Sequence, residues 1–429
     1  MDGAAERPVV GLFGAFDTGE IGEMALRRVM ESELGRRRPD IDLITLAPFG
    51  AEHPIPGDEG RPARPLPRGA GAGALDLDAL ILSGDVLGDD LRWSARYGVP
   101  VEAMSDRGVE ALALRGTLAG RDVAASAVWF AVGLAGGEVD VSGLKGKDVW
   151  ARNPATHERL GGTAAQSGDP VLLASRVFSS DALRRRTDLL RLCGAVPTGR
   201  RVVIETSAGL PASSVERLVE AAVAALGADP KCSVVVVSLN PTQQAPAETP
   251  FRVPGVTAER VHVLPAWVGL DDVAAAISGS VGAVATSSSG ANLAAALGVP
   301  VLAIDPEASH RFDPVIPHVA GDVAYAVEAL LGAKHPVAIQ AAVQTLDGAF
   351  AELAERLPRT TVATRTALEP DSAGSALTIL QQRLVDERTA LQAELSRVQS
   401  ELDHLRASPE HRLARPIREG YRRWQRRRT

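Results

Sequence analysis

The chain is poor in cysteine, in aromatic residues and in long apolar runs. Its 429 residues include two cysteines, Cys193 and Cys232, and 4% aromatics. The cysteines fall in separate apolar stretches, which points to reduced thiols inside the cores rather than a disulfide framework. No Cys/His cluster has the spacing of a metal site, so no metal is expected. The longest apolar run, 123–136, falls short of the roughly 20 residues that a bilayer-spanning helix needs. The opening MDGAAERPVVGLFG has no basic segment leading into an apolar core, so no export signal and a cytoplasmic location are expected. Positive charge is also in deficit: the formal net charge is −7 and the pI about 5.7. That balance argues against a general nucleic-acid binder, and no nucleic-acid partner is expected.

What is present is 45% hydrophobic residues, ample for two cores, with 41 Gly and 28 Pro dispersed at turns. Apolar and amphipathic stretches alternate in two series. The first has strands at 8–14 and 41–47 around a helix at 23–34. A Pro-, Gly- and Arg-rich surface loop follows at 50–75. Strands then read at 78–83, 123–132, 148–152 and 171–174, with helices at 154–160 and 179–193, the latter with Asp181 as its cap. After a linker at 194–200 the second series has strands at 202–205, 233–239, 261–264, 281–285 and 300–304. Its helices are 213–226, 271–277 and 292–297, with 323–331 and 338–357 closing the domain. Two such series predict an α/β fold of two Rossmann-like, doubly wound domains, 1–193 and 194–370, facing a cleft.

Four motifs lie on the strand ends that border such a cleft. In 281–305 an apolar strand runs into Thr286, Ser287, Ser288, Ser289 and Gly290, then a helix carrying Asn292. Hydroxyls and free N–H groups at a helix start attract anions. In GAFDTGEIGEMAL, Gly14, Gly19 and Gly22 let backbone approach a ligand, while Glu20 and Glu23 suit the positive end of a helix and would repel phosphate. In LILSGD, Asp85 is placed as a base or as a turn cap. In VWARNPATHERL, Arg152 suits planar carboxylate or phosphate recognition, and His157 reads as a half-exposed surface residue. His310 and Arg311 follow the next strand and offer a proton donor and a positive charge, or are solvated loop residues.

Together these motifs resemble the polysaccharide pyruvyl transferase family over about residues 8–305. The family carries a first-loop pattern close to G-x-F-x-x-x-N-x-G-D-E-A-x-L, a strand ending in GGG, an Arg-Asp before a helix, and S-R-x-H-G-A-x-x-A-L-x-x-G-x-P. Here GAFDTGEIGEMAL, LILSGD, VWARNPATHERL and TSSSGANLAAALGVP occur in that order. The family's Asn and Asp are Glu20 and Glu23 here, and its signature Arg and His are Ser287 and Ser289. The resemblance implies two Rossmann-like domains of glycosyltransferase-B type. It also implies transfer of a pyruvyl ketal from phosphoenolpyruvate, a substrate rather than a cofactor, to a sugar of a cell-surface polysaccharide. The partner is then a glycan or lipid-linked sugar acceptor. Arg152 would clamp the donor; Gly19, Gly22, Thr286–Gly290 and Asn292 would line its site. Asp85 or Glu20 would act as base, and His310 and Arg311 would replace the missing pair. A nucleotide-sugar glycosyltransferase of the same fold, or a non-catalytic scaffold in glycan biosynthesis, remains the alternative.

The C-terminal residues carry two further features. Leu377, Leu384, Leu391, Val398 and Leu405 recur every seven residues, with Leu395 and Leu402 between them and Gln381 and Arg388 interrupting. The segment 375–406 therefore reads as a coiled-coil helix, pairing two copies through 377–405 or folding back on the body. The tail 407–429 is rich in arginine and sets Leu413, Ile417, Tyr421 and Trp424 on one helical face. That pattern fits peripheral attachment to an anionic inner membrane surface, or a solvated basic tail. Removing residues 408–429 is expected to release the protein from anionic liposomes in a co-sedimentation assay; unchanged sedimentation refutes the membrane role.

Overall fold

In the computed structural model of the chain, residues 7–50, 62–67, 75, 77–118, 121–134, 140–206, 212–226, 232–238, 260–264, 269–304, 313–319, 330 and 337–361 are described. His310 and Arg311, the 323–331 helix apart from Leu330, the coiled coil and the basic tail lie outside them. None of the described helices is long and apolar enough to cross a membrane.

The first lobe is a parallel sheet of β1 (Val9–Phe13), β2 (Asp42–Ala47), β3 (Arg64–Pro65), β4 (Leu77–Leu87), β7 (Ala124–Leu134), β8 (Asp148–Ala151) and β9 (Ala165–Gln166). Their spatial order is β3-β2-β1-β4-β7-β8-β9, and a small hairpin, β5 (Thr117–Leu118) with β6 (Arg121–Asp122), stands apart. β1 and β4 are almost wholly buried, as strands covered on both faces must be. Helix α1 (Ile21–Arg37) crosses between β1 and β2. The second lobe is parallel too: β10 (Arg200–Thr206), β11 (Cys232–Ser238), β12 (Val261–Val263), β13 (Gly282–Ala285), β14 (Val301–Ile304) and β15 (His318–Val319), ordered β12-β11-β10-β13-β14-β15. Helices α7 (Ala212–Leu226), α8 (Leu270–Ser278) and α9 (Ser288–Ala296) connect them. The fold is therefore α/β with two doubly wound, Rossmann-like lobes, as the alternation and the resemblance imply. In each lobe the strand order reverses at one place, between β1 and β4 and between β10 and β13, and ligands of open α/β sheets bind at such points.

Several local expectations are corrected. Residues 171–174 are no strand: Asp169 accepts the Val171 N–H at 2.9 Å, Pro170 follows, and Pro170–Arg176 is a buried 3-10 helix. An Asp cap with Pro at the first position starts a helical turn regardless of the apolar run behind it. β4 does not stop at Ser83; it continues through Gly84 and Asp85 with two register shifts against β7. α6 (Ser180–Leu192) is capped by Ser179, not by Asp181, which pairs with Arg184 instead. Leu189 and Leu192 on that helix are exposed, and so is Cys193; Cys232 is the buried thiol. Three helices that the alternation did not reveal follow β4: α2 (Asp90–Tyr97), α3 (Val101–Ser105) and α4 (Val109–Arg115). The scarce aromatics concentrate here, with Trp93 against Phe13 and Tyr97 against Phe49.

The chain crosses between lobes around the second sheet. α6 packs on α8, where Arg186 pairs with Asp272 and the Thr187 hydroxyl donates to the Ala275 carbonyl. The 3-10 helix lies between α1 and α9. α10 (Gln340–Arg356), which follows the second series, returns to α1 of the first lobe. There buried Phe350 meets Phe130 at 4.9 Å and carries the Arg37 guanidinium at 5.3 Å. Arg38 donates to the carbonyls of Ala354, Leu357 and Pro358, a cation at the negative end of the helix. A second tie, Arg28 to both oxygens of Asp271 at 2.9 and 3.0 Å, joins α1 to α8. Phe350→Ala is expected to destabilise the protein by about 3–5 kcal/mol in urea unfolding, because the packed ring cannot be replaced by collapse of its neighbours.

Candidate functional site

The residues at the two strand-order reversals meet where the lobes face each other. After β1 the loop ends in Glu20, and the first turn of α1 carries Glu23. Neither is a free acid. Arg96, from α2, bonds both, closely to Glu20 and at 3.1 Å to Glu23. Arg96 also donates to the Asp85 carbonyl at 3.0 Å, and the Asp85 N–H reaches Glu23 at 3.3 Å. Burial raises the pKa of Glu23; Arg96 offsets part of that shift. Half-buried Asp17 in the same loop accepts the Phe49 and Gly50 N–H groups and the Tyr97 hydroxyl, which fixes the loop against β2 and α2.

Asp85 and Arg152 are in contact. Arg152 Nη2 donates to Asp85 at 2.7 Å, and its Nε lies 3.6 Å from Asp169. The Arg152 side chain is 5% exposed, that of Asp85 34%. Burial opposes the charge on Arg152, but Asp85, Asp169 and Glu23 outweigh it and hold the guanidinium firmly protonated. Asp169 then reaches across to the second lobe, accepting from Asn292 Nδ2 at 3.0 Å. A ladder thus runs Arg96–Glu23–Asp85–Arg152–Asp169–Asn292. Four of its buried or neighbouring polar atoms have no hydrogen-bond partner among the described residues: Glu23 Oε2, Ser83 Oγ, Arg152 Nε and Asn292 Oδ1.

The serine-rich elbow completes the floor. Gly22 has no Cβ, and one placed there would stand 2.6 Å from Ser289 Oγ, so the starts of α1 and α9 touch through this pair. Ser288 and Ser289 are half-buried in the first turn of α9. Three of the elbow's N–H groups are taken. Both Thr286 N and Ser287 N donate to Glu205 Oε2 at 2.9 Å, and Ser287 Oγ donates to Oε1 at 3.0 Å. Ser287 Oγ in turn accepts the Gly290 N–H at 3.0 Å, capping α9. Glu205 sits at the end of β10, 1% exposed. Burial pushes its carboxyl up to about 7, with the Ser287 and Thr286 bonds acting against that shift.

The structure therefore brings Glu20, Gly22, Asp85, Arg152, Ser289 and Asn292 to one region, with Gly19 at φ 76° in the β1 loop. His157 stands half-buried on α5 (Pro154–Arg159), and Asn153, not a family-like Asp, caps that helix through the Thr156 N–H. Sequence reasoning missed Arg96, Asp169 and Glu205. For Glu205 a signal existed: VVIET ends an apolar strand in a carboxylate, as LILSGD does in the first lobe. For Arg96 and Asp169 the signals marked only the helices: Asp89 and Gly98 bracket α2, and Asp169–Pro170 starts the 3-10 turn, but neither shows which charge each residue meets.

Glu205 makes stability depend on pH in a definite direction. Unfolded, its carboxyl ionises near the ordinary 4.5; folded, it keeps its proton to about 7. Between those values the unfolded chain holds fewer protons, so stability falls as pH rises and levels off above. Relative to Glu205→Gln, the wild type is expected to lose up to about 3 kcal/mol across this window. Denaturant unfolding of both proteins from pH 4.5 to 8 reads the difference, and parallel profiles would contradict the assignment.

No protein-family model matches the chain, and no curated protein matches it. Solved structures do. UDP-GlcNAc 2-epimerase of Methanocaldococcus jannaschii, in complex with UDP-GlcNAc and UDP, is 12% identical, with 81% of this chain and 98% of that chain covered at a TM-score of 0.47. E. coli ADP-heptose LPS heptosyltransferase II is 13% identical, with 81% and 99% covered at 0.39. The glycosyl transferase family 9 protein of Veillonella parvula is 12% identical, with 80% and 97% covered at 0.40. The fold assignment of this chain stands on its own strand order.

Proposed function

We propose that this protein acts in glycan biosynthesis as a group transferase on the polysaccharide pyruvyl transferase plan, moving a pyruvyl group from phosphoenolpyruvate to a pair of sugar hydroxyls. The observation that carries this reading is the ladder from Arg96 to Asn292. It joins all four motifs, draws on both lobes, and leaves Glu23 Oε2 and Asn292 Oδ1 buried without a hydrogen-bond partner among the described residues.

The residues divide the chemistry as follows. Arg152 exchanges Asp85 for the donor's carboxylate or phosphate, a bidentate partner of the same sign. Asp85, the more exposed member of the pair, is released as base for an acceptor hydroxyl. Glu23, held towards its protonated form by burial, supplies the acid for the enol carbon, the task for which Ser289 is unsuited. Two acceptor O–H bonds break and two C–O bonds form at the central carbon. The bond from that carbon to the phosphate oxygen breaks. One proton ends on the new methyl group and the other leaves with phosphate. Half-buried Ser288 and Ser289 offer neutral hydrogen bonds to the sugar. A nucleotide-sugar donor is the competing reading, and Glu205 in the elbow weighs against it.

Phosphoenolpyruvate is expected to raise the Tm of the wild type, and UDP- and ADP-sugars are not. Asp85→Asn, which leaves Arg152 paired with Asp169, separates the roles. It is expected to keep or strengthen the phosphoenolpyruvate shift while lowering pyruvyl transfer to a glycan acceptor by about 100-fold or more. No shift in either protein would refute the reading.

A further inference from the structure

Glu205 stands where a ligand's anion would. α9 is nine residues long and begins at the C-terminal edge of β13, beside the strand-order reversal. Such a position ordinarily presents free N–H groups to a phosphate. Here the Thr286 and Ser287 N–H groups and the Ser287 hydroxyl all point at one carboxyl group, and the Gly290 N–H is taken by Ser287 Oγ. The space is built for that occupant. A Cβ at Gly290 would lie 2.6 Å from the Glu205 carboxyl carbon and from Oε2, so any side chain there would collide with it. Thr206, the next residue, bonds the Val237 carbonyl at 3.4 Å, which ties the end of β10 to β11.

We propose that Glu205 is a built-in anion that occupies the Thr286 and Ser287 donors leading into α9, and so keeps the phosphates of a nucleoside diphosphate from binding them. A phosphoryl oxygen approaching Thr286 and Ser287 meets a carboxyl group that already holds both N–H groups and the Ser287 hydroxyl. Protonation does not open the place, because the carboxyl fills it by volume as well as by charge. The inference concerns the second lobe alone and holds whatever donor the first lobe binds at Arg152.

Inorganic pyrophosphate and UDP are the probes, read by calorimetry and by the Thr286 and Ser287 amide resonances of the full-length protein. Wild type and Glu205→Gln, which keeps the volume, are expected to show no saturable shift at those amides. Glu205→Ala and Glu205→Ser remove the occupant and are expected to bind pyrophosphate at least about tenfold more tightly than wild type, with both amides moving. Saturable shifts at Thr286 and Ser287 in the wild type would overturn the proposal, as would a folded Ala or Ser variant that stays silent. Should neither variant fold, the wild-type titration decides alone, silence supporting and saturation refuting. A protein that ignores phosphoenolpyruvate but gains pyrophosphate on Glu205→Ala would sink the proposed reaction and leave this assignment standing.

Discussion

A guanidinium cannot shed its charge on burial, so a buried arginine obliges the fold to bring carboxylates to it. Arg152 is that constraint here. It follows β8, nearly out of solvent, and draws Asp85 from β4, two strands away across β7, and Asp169 from the start of the 3-10 turn. Asp169 also starts that turn, and the turn packs between α1 and α9. Through Asn292, the same carboxylate then reaches the second lobe. One charge thereby couples the register of a strand, the start of a helix and the contact between two lobes. Removing one partner of such a group typically costs about 3–5 kcal/mol, because the other is left buried and unpaired.

The two sheets present the same design with opposite electrostatics. Asp85 and Glu205 each lie at the C-terminal edge of a strand at the strand-order reversal of its sheet. Asp85 has a guanidinium beside it and is one third exposed, so its charge is balanced and partly solvated. Glu205 has only N–H and O–H dipoles and no solvent, and its proton is held to about 7. Dipoles stabilise the ionised form less than a cation does, and they cannot fully repay desolvation. The first lobe thus holds a partly exposed ion pair and the second a buried carboxyl held by dipoles, and the difference follows from what surrounds two chemically similar side chains.

The alternation of strands and helices was legible because a parallel sheet covered on both faces needs continuous apolar runs, such as those of β4 and β13. The motifs were legible as places, since glycines and polar residues follow those runs. What could not be read was who pairs with whom. Arg152 reads as a free clamp until Asp169 is seen to be held near it by a helical turn. That turn hid behind VLLA, a four-residue apolar run that fits a strand or a helix equally. Arg96 sits on α2, a short helix set by packing of Trp93 and Tyr97 more than by any periodic pattern. Cys193 follows an apolar helix end whose Leu192 is itself 83% exposed, so composition alone misplaced it.

The serines at 287 and 289 act together on the second lobe. An arginine at 287 would place a cation beside the Glu205 carboxylate, pairing with it and lowering its affinity for a proton. Serine at 287 instead gives a hydroxyl that bonds Glu205 on one side and the Gly290 N–H on the other. Serine at 289 is small enough to rest against Gly22, which lets the heads of α1 and α9 come into contact. A histidine there would keep them apart. Serine at 287, contact between the lobes at this point and occupation of the elbow by a carboxyl group therefore go together. In the first lobe, by contrast, Glu23 and Asp85 share the field of Arg96 and Arg152.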